Sequence, residues 1–153
     1  MRFFPFLKKK QYFTASEQDR LVEAIRIAEQ QTSGEIRLFI ESKNPLVSTI
    51  DRAAEIFFKL QMDKTAHRNG VLIYLATTHH EIALFADEGI YNAVGQAYWD
   101  AEIKEMLVRF KEQKVCDGVL HCILHVGQTL KEKFPYISSE DKNELPDNIV
   151  FGK

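Results

Sequence analysis

The 153 residues suffice for one domain with one hydrophobic core. Hydrophobic residues make up 45% and charged residues 27%, which is typical of a soluble globular domain. The net charge of −2 argues against nucleic-acid binding, which needs a basic face. No apolar run approaches the length of a membrane span, so we expect no transmembrane segment.

Residues 1–12 are interpreted as an N-terminal tail. Their apolar patch comes before Lys8–Lys10 and is interrupted by Pro5, whereas a secretory signal has its basic residues first and a longer apolar run. Cys116 and Cys122 lie six residues apart in one helical region, where their side chains point in different directions. Free thiols are therefore predicted, and they favour a reducing, cytoplasmic location.

The first predicted elements are a helix over Thr14–Gln31 and a strand over Glu35–Glu41. Thr14 and Glu17 have the spacing of a capping box. The strand alternates apolar and polar residues, which predicts one well-buried face. Asn44 and the following proline are typical of a helix start, so a second helix is predicted from there to about residue 60.

Two nearly continuous apolar runs follow, Val71–Ala76 and Ile82–Ala86, separated by Thr77–Glu81. A break of this length suits a hairpin, and continuous apolar strands are usually covered on both faces. The strand, helix and strand before the hairpin form a right-handed crossover unit, which makes Glu35–Glu41 parallel to Val71–Ala76. The central hairpin then adds an antiparallel strand, giving a mixed sheet of at least three strands.

The rest of the chain is predicted to be helical as far as Pro135. Ile90–Tyr98 can form a short helix, and Asp100 and Asp117 are positioned to cap the next two. We therefore predict an α/β fold over residues 13–137, a three-layer α/β/α sandwich whose small mixed sheet is flanked by helices. Residues 138–153 are interpreted as a mobile acidic tail, whose Ile149–Phe151 could dock onto the domain.

This topology gathers acidic residues at one edge of the sheet. The start of the first strand brings Glu35, and the end of the hairpin brings Asp87 and Glu88. One capping acid, either Asp100 or Asp117, is expected to join them, depending on how the intervening helix runs. Clustered carboxylates are the ligands that Ca²⁺ or Mg²⁺ prefers, so these five residues form the candidate metal site. Helix capping and simple solvation are the alternative explanation of the same acids.

The same topology and spacing suggest two other candidate sites. At the opposite edge, Lys43 beside the helix start at Asn44 could hold a phosphate near His79 and His80, but there is no glycine-rich loop. His121 and His125 have a zinc-compatible helical spacing without a second ligand cluster. Exposed turn residues and a solvated helix face are the favoured interpretations of these histidines.

Several short segments, taken in order, resemble the TPM domain family, named for thylakoid-lumen, photosystem-repair and acetylcholine-receptor-modulator members. They are Thr32-Ser33-Gly34-Glu35-Ile36-Arg37, Arg68-Asn69-Gly70-Val71-Leu72-Ile73-Tyr74, Ala86-Asp87-Glu88-Gly89-Ile90, Met106–Phe110 and Asp117-Gly118. The resemblance covers about residues 13–134. It implies an α/β/α sandwich and a divalent-cation site, whose matching acids are Glu35, Asp87, Asp100 and Asp117.

The resemblance also implies two functional hypotheses. Acid phosphatase activity is attributed to plant relatives, and other relatives act in the assembly, repair or modulation of membrane protein complexes. The favoured hypothesis is a cation-binding, non-catalytic module that binds a protein partner, such as a membrane protein complex. The alternative is a weak metal-dependent phosphatase acting on phosphomonoesters. Because the chain shows neither a signal peptide nor a C-terminal membrane anchor, we do not expect an envelope or lumenal role.

Overall fold

The computed structural model describes residues 12–46, 48–137 and 149–152. Its elements, in chain order, are α1 (Ala15–Glu29), β1 (Glu35–Glu41), α2 (Thr49–Lys59), β2 (Gly70–Ala76), β3 (Glu81–Ala86), α3 (Glu88–Val94), α4 (Gln96–Lys111), α5 (Val115–Lys133) and β4 (Val150–Phe151). The strands form one sheet in the order β3-β2-β1-β4. β1 is parallel to β2 and β4, while β2 is antiparallel to β3. The predicted mixed sheet with its crossover and central hairpin is confirmed.

Helices cover both faces of this sheet. On one face α1, α4 and α5 pack on the side chains of β1 and β2 that include Ile36, Leu38, Val71 and Ile73. On the other face α2 places Ala53, Ile56 and Phe57 against Phe39, Leu72 and Tyr74. The α/β/α sandwich follows from these two apolar layers, because each face of β2 must be removed from water.

β1 is buried more completely than its alternating sequence predicts. Phe39, on the face opposite to Leu38, stacks on Tyr74 with ring centroids 6.0 Å apart. The strand is therefore covered on both faces, and the prediction of a single buried face is wrong. The reason is that α2 covers the second face, where Phe39 belongs to the same apolar cluster as Ile56 and Phe57. β4 also pairs with Phe39 and Ile40 along the edge that would otherwise be open.

The starts of the helices confirm some predicted caps and correct others. Thr14 caps α1, and its capping box with Glu17 is complete. α2 begins after Ser48, whose hydroxyl accepts from the backbone of Asp51, and not at Asn44. α4 and α5 begin before Asp100 and Asp117 respectively, so neither acid is an N-cap.

The ends of the chain are described only in part. Residues 1–11 of the predicted N-terminal tail, and 138–148 and 153 of the predicted C-terminal tail, lie outside the described residues. Val150 and Phe151 form β4, so the expected docking of this triplet is confirmed as strand pairing. Cys116 and Cys122 are both free and buried, as predicted. None of the helices in the described part combines the length and apolar character needed to cross a membrane.

Candidate functional site at the Glu35 and Asp87 sheet edge

Two buried carboxylates lie on either side of Gly70 at one edge of the sheet. Glu35 pairs with Gly70 in the parallel register of β1 and β2. On the other side, the backbone N–H of Asp87 donates to the carbonyl of Gly70 at 2.9 Å. Glu35 is 2% exposed and Asp87 is 3% exposed. Neighbouring strands lie about 4.8 Å apart, so the two acidic residues are separated by roughly 10 Å between their Cα atoms.

Arg68 donates hydrogen bonds to both oxygens of the Asp87 carboxylate. Its Nε and Nη2 atoms donate to Oδ2 and Oδ1, each at 2.7 Å, in a bidentate pair. The backbone N–H of Glu88 also donates to Oδ1 at 2.8 Å, which makes Asp87 the N-cap of α3. The hydrogen bonds that Arg68 donates to Asp87 raise the pKa of Arg68, whose side chain remains 40% exposed. The negative charge of Asp87 is thus balanced by a cation that can reach solvent.

The backbone around Arg68 is fixed by a close approach to α3. Arg68 has a φ of +49°, in the left-handed region that most residues avoid. Its carbonyl accepts from the N–H of Gly89 at 2.8 Å. A Cβ at Gly89 would lie 2.3 Å from the carbonyl oxygen of His67, so only glycine fits this approach. Gly89 therefore sets the position from which Arg68 reaches Asp87.

Asn69 ties this edge to the end of α5. It is fully buried, and its Nδ2 donates to the hydroxyl of Ser33 at 3.2 Å. Its Oδ1 is also buried, and it has no hydrogen-bond partner among the described residues. The backbone of Ser33 in turn donates to the carbonyl of Phe134 at 3.0 Å. Asn69 thus carries a buried oxygen whose hydrogen-bonding capacity is unused among the described residues.

The structure brings three of the five predicted metal ligands to this edge. Glu88 adjoins Asp87, and its carboxylate lies 3.7 Å from Nη1 of Arg68, with 67% of its side chain exposed. Asp100 and Asp117 make their contacts elsewhere, with Gln96 and Arg20 respectively. Among residues 12–46, 48–137 and 149–152, no group of three or more His, Cys, Asp or Glu side chains is arranged to hold a metal ion.

Asp117 lies at the opposite end of the sandwich. Its carboxylate is 3.5 Å from Arg20 of α1, and both side chains are about half exposed. That part of α1 follows Tyr12, whose hydroxyl is 3.0 Å from Nε2 of His80 in the turn between β2 and β3. Asp100 is exposed on α4 and accepts from Gln96 at 2.8 Å. The expectation that one of these acids joins the edge is wrong, because α5 ends at this edge, where Ser33 donates to Phe134, and Asp117 lies in the first turn at its far end.

The rival phosphate site is occupied by a carboxylate. Glu81 accepts from the side chain of Asn44 at 3.0 Å and from that of Thr49 at 3.1 Å. The start of α2 therefore already faces a negative side chain, which opposes anion binding.

Sequence reasoning missed two buried carboxylates outside this edge. In β1, Glu41 is 5% exposed and accepts two hydrogen bonds from Arg52. In α4, Glu102 is 4% exposed and contacts His125 of α5. An alternating strand could have indicated that Glu41 shares a face with Phe39, but no local signal pairs it with Arg52. The spacing of Glu102 in α4 likewise says nothing of its partner in α5.

Comparison with known proteins agrees with this architecture. A model of the TPM domain family matches residues 7–129. The chain is similar to the BA42 protein from the psychrophilic bacterium Bizionia argentinensis, with a sequence identity of 36%. The NMR structure of BA42 matches this fold with a TM-score of 0.86, and the match covers 95% of this chain and 99% of BA42. No functionally curated protein matches the chain. Because the family match spans most of the sequence and the motifs at Glu35, Gly70 and Asp87 form one edge of the sheet, the chain belongs to the TPM domain family.

Proposed function

We propose that this TPM domain is a non-catalytic interaction module that binds Ca²⁺ or Mg²⁺ weakly at the Glu35 and Asp87 edge. The observation that carries the proposal is the Arg68–Asp87 pair beside Glu35. A buried carboxylate needs a positive partner, and here that partner is a half-exposed side chain. A divalent cation can replace Arg68 and serve both carboxylates at once.

The donor atoms support this assignment in chemical type. Ca²⁺ and Mg²⁺ prefer carboxylate, carboxamide and carbonyl oxygens. The edge offers the carboxylates of Glu35 and Asp87. Arg68 must release Asp87 first, and the exposed carboxylate of Glu88 is already close enough to receive it. This exchange predicts a low affinity, because the ion has to displace a bidentate pair.

A structural role for the cation is favoured over a catalytic one. Asp87 caps α3, and Arg68 and Gly89 hold the preceding loop against that helix. An ion at this edge would therefore join the loop, the sheet and α3. In the alternative phosphatase role, the ion would polarise a phosphoryl oxygen and orient water. The partner in the favoured role is a protein, such as the membrane protein complexes that the family resemblance implies, and the free buried cysteines support a cytoplasmic location.

A titration with Ca²⁺ and with Mg²⁺, followed by ¹H–¹⁵N NMR, tests cation binding. We expect shifts in the backbone signals of Glu35, of residues 68–70 and of residues 87–89. Asp87→Asn should abolish them while keeping the cap of α3, since asparagine is an equally good N-cap. Arg68→Gln should tighten binding by removing the competing cation.

Asp100→Asn and Asp117→Asn are matched controls, because each removes an acid that the sequence suggests but that lies outside the edge. Neither should change the titration. The proposal is wrong if the edge signals do not shift, or if the Asp117 variant loses binding. If the protein hydrolyses p-nitrophenyl phosphate in a cation-dependent manner and Asp87→Asn abolishes this activity, the non-catalytic role is wrong and the phosphatase alternative is supported.

A further inference from the structure

Two exposed histidines lie one turn apart on α5, far in sequence from the carboxylate edge. His121 and His125 have ring centroids 6.1 Å apart and planes inclined by 35°. Two imidazoles bound to one ion through nitrogens at about 2.0–2.1 Å have centroids roughly 5–6 Å apart. The two rings are therefore already close to the separation that a shared ion requires.

One of these rings is oriented by a buried carboxylate. Nδ1 of His125 is hydrogen-bonded to Oε2 of Glu102 in α4. The side chain of Glu102 is 5% exposed, whereas that of His125 is 52% exposed. An ionised carboxylate only accepts hydrogen bonds, so Nδ1 carries the proton and Nε2 is the nitrogen with a free lone pair in the neutral ring. Carboxylate, histidine and metal ion occur in this order in many metal sites.

The surroundings hold the oriented ring in place. The ring of Tyr98 lies 5.9 Å from that of His125 at 33°, and its hydroxyl is 2.8 Å from Thr129. Thr129 in turn donates to the backbone carbonyl of His125 at 3.2 Å. His125 is thus supported from α4 on one side and by its own helix on the other, which lowers the cost of ordering it around an ion.

We propose that His121 and His125 bind a borderline divalent cation such as Zn²⁺, Ni²⁺ or Cu²⁺, with Glu102 as the positioning residue. Imidazole nitrogens favour these ions over Ca²⁺ and Mg²⁺. The site has two protein ligands, with water in the remaining positions, in keeping with the described residues holding no larger ligand group. It stands independently of the carboxylate edge, because it uses different side chains and a different class of metal.

Zn²⁺ titration by calorimetry, with Cu²⁺ broadening of the histidine ring signals in NMR, tests the proposal. We expect one ion per chain, and Cu²⁺ should broaden the signals of His121 and His125 first. His121→Asn should weaken Zn²⁺ binding at least tenfold, and because the side chain is exposed the fold should persist. Glu102→Gln should weaken it about tenfold, as expected when the group that orients a ligand is altered.

The exposed turn residue His79 provides the matched control, and His79→Asn should leave Zn²⁺ binding unchanged. Asp87→Asn should also leave it unchanged, which separates this site from the carboxylate edge. Unaltered Zn²⁺ affinity in His121→Asn would overturn the proposal, as would loss of binding in His79→Asn. If Glu102→Gln unfolds, His125→Asn provides the second test. We expect it to weaken Zn²⁺ binding about tenfold, and an unaltered Zn²⁺ affinity would overturn the proposal.

Discussion

The carboxylate of Glu41 accepts hydrogen bonds from Nε and Nη2 of Arg52 at 2.7 and 2.8 Å, and a third from the hydroxyl of Tyr74. The three side chains connect β1, α2 and β2 inside the layer that α2 covers. Arg52 also donates to the exposed Glu55, so its charge serves two carboxylates. Removing any member leaves a buried charged or polar group without its partner, which is among the more costly changes in a protein.

The stability of the domain should therefore fall as Glu41 becomes protonated. Burial alone would raise the pKa of Glu41, but the hydrogen bonds from Arg52 and Tyr74 outweigh it and lower the pKa. The pair is thus fully stabilising above the ordinary glutamate pKa of about 4.3, and its contribution is lost as the pH falls through the lower folded value. Urea unfolding between about pH 7 and about pH 3 measures this loss.

Glu41→Gln provides the comparison for that experiment. It should lower the free energy of unfolding by about 2 kcal/mol at neutral pH and weaken the dependence on acid. Asp51→Asn, on the exposed side of α2, is the control and should keep the wild-type dependence. An equal acid dependence in wild type and Glu41→Gln would contradict the assignment.

Arg68→Ala should lower the melting temperature, because Asp87 then loses its bidentate partner while remaining buried. If a cation can take the place of Arg68, Ca²⁺ should restore part of the loss in the variant and stabilise the wild type less. Thermal unfolding with Ca²⁺ and with chelator measures both effects. Arg26→Ala removes an exposed pair with Glu23 and serves as the control, for which we expect little change under either condition. Equal responses to Ca²⁺ in wild type and Arg68→Ala would argue against the exchange.

Gly89→Ala should destabilise the domain by about 3 kcal/mol, because the new Cβ meets two backbone carbonyls that cannot move independently of the loop. Gly95→Ala is a useful comparison. Gly95 has a φ of +83° with open space around it, so the cost there is conformational and about 1 kcal/mol. Urea unfolding of both variants separates the two causes. A smaller decrease in the free energy of unfolding for Gly89→Ala than for Gly95→Ala would show that the loop backbone shifts to make room for the new Cβ.

Both cysteines should react slowly with thiol reagents in the folded protein. Burial raises the pKa of Cys116, and burial together with the nearby Glu102 carboxylate raises the pKa of Cys122. The reactive thiolate is therefore scarce at neutral pH. Ellman's reagent should modify Cys116 first and Cys122 last, with both reacting rapidly in urea. Rapid modification of Cys122 under native conditions would mean that α4 and α5 separate readily.

The parts of the fold that sequence predicts well are those with strong local signals. Val71–Ala76 has six consecutive apolar residues and is buried throughout, as such a run requires. The spacing of Thr14 and Glu17 identifies the start of α1. Asn44 misleads, because its side chain bonds to Leu46 and Glu81 and thereby shapes a turn instead of starting a helix.

The candidate site is predicted only to the extent that topology determines it. The crossover and the hairpin place Glu35 and Asp87 at one edge, and both can be located from the strands alone. Arg68 cannot be assigned this way, since its role depends on a left-handed backbone and on contact with Gly89. The contact of His125 with Glu102 also cannot be predicted from the sequence, because it depends on how α4 and α5 are aligned.

The two-residue strand β4 has a consequence for the order of folding. β1 meets β2 across a single crossover, but Phe39 and Ile40 meet Val150 and Phe151 only after about a hundred further residues. Closing a loop of that length costs conformational entropy, and pairing only two residues offsets little of it. This pairing therefore forms late and opens early. Until it forms, a newly synthesised chain carries a central strand with an open edge, and the interval before β4 arrives is when the domain is most exposed to pairing with another chain.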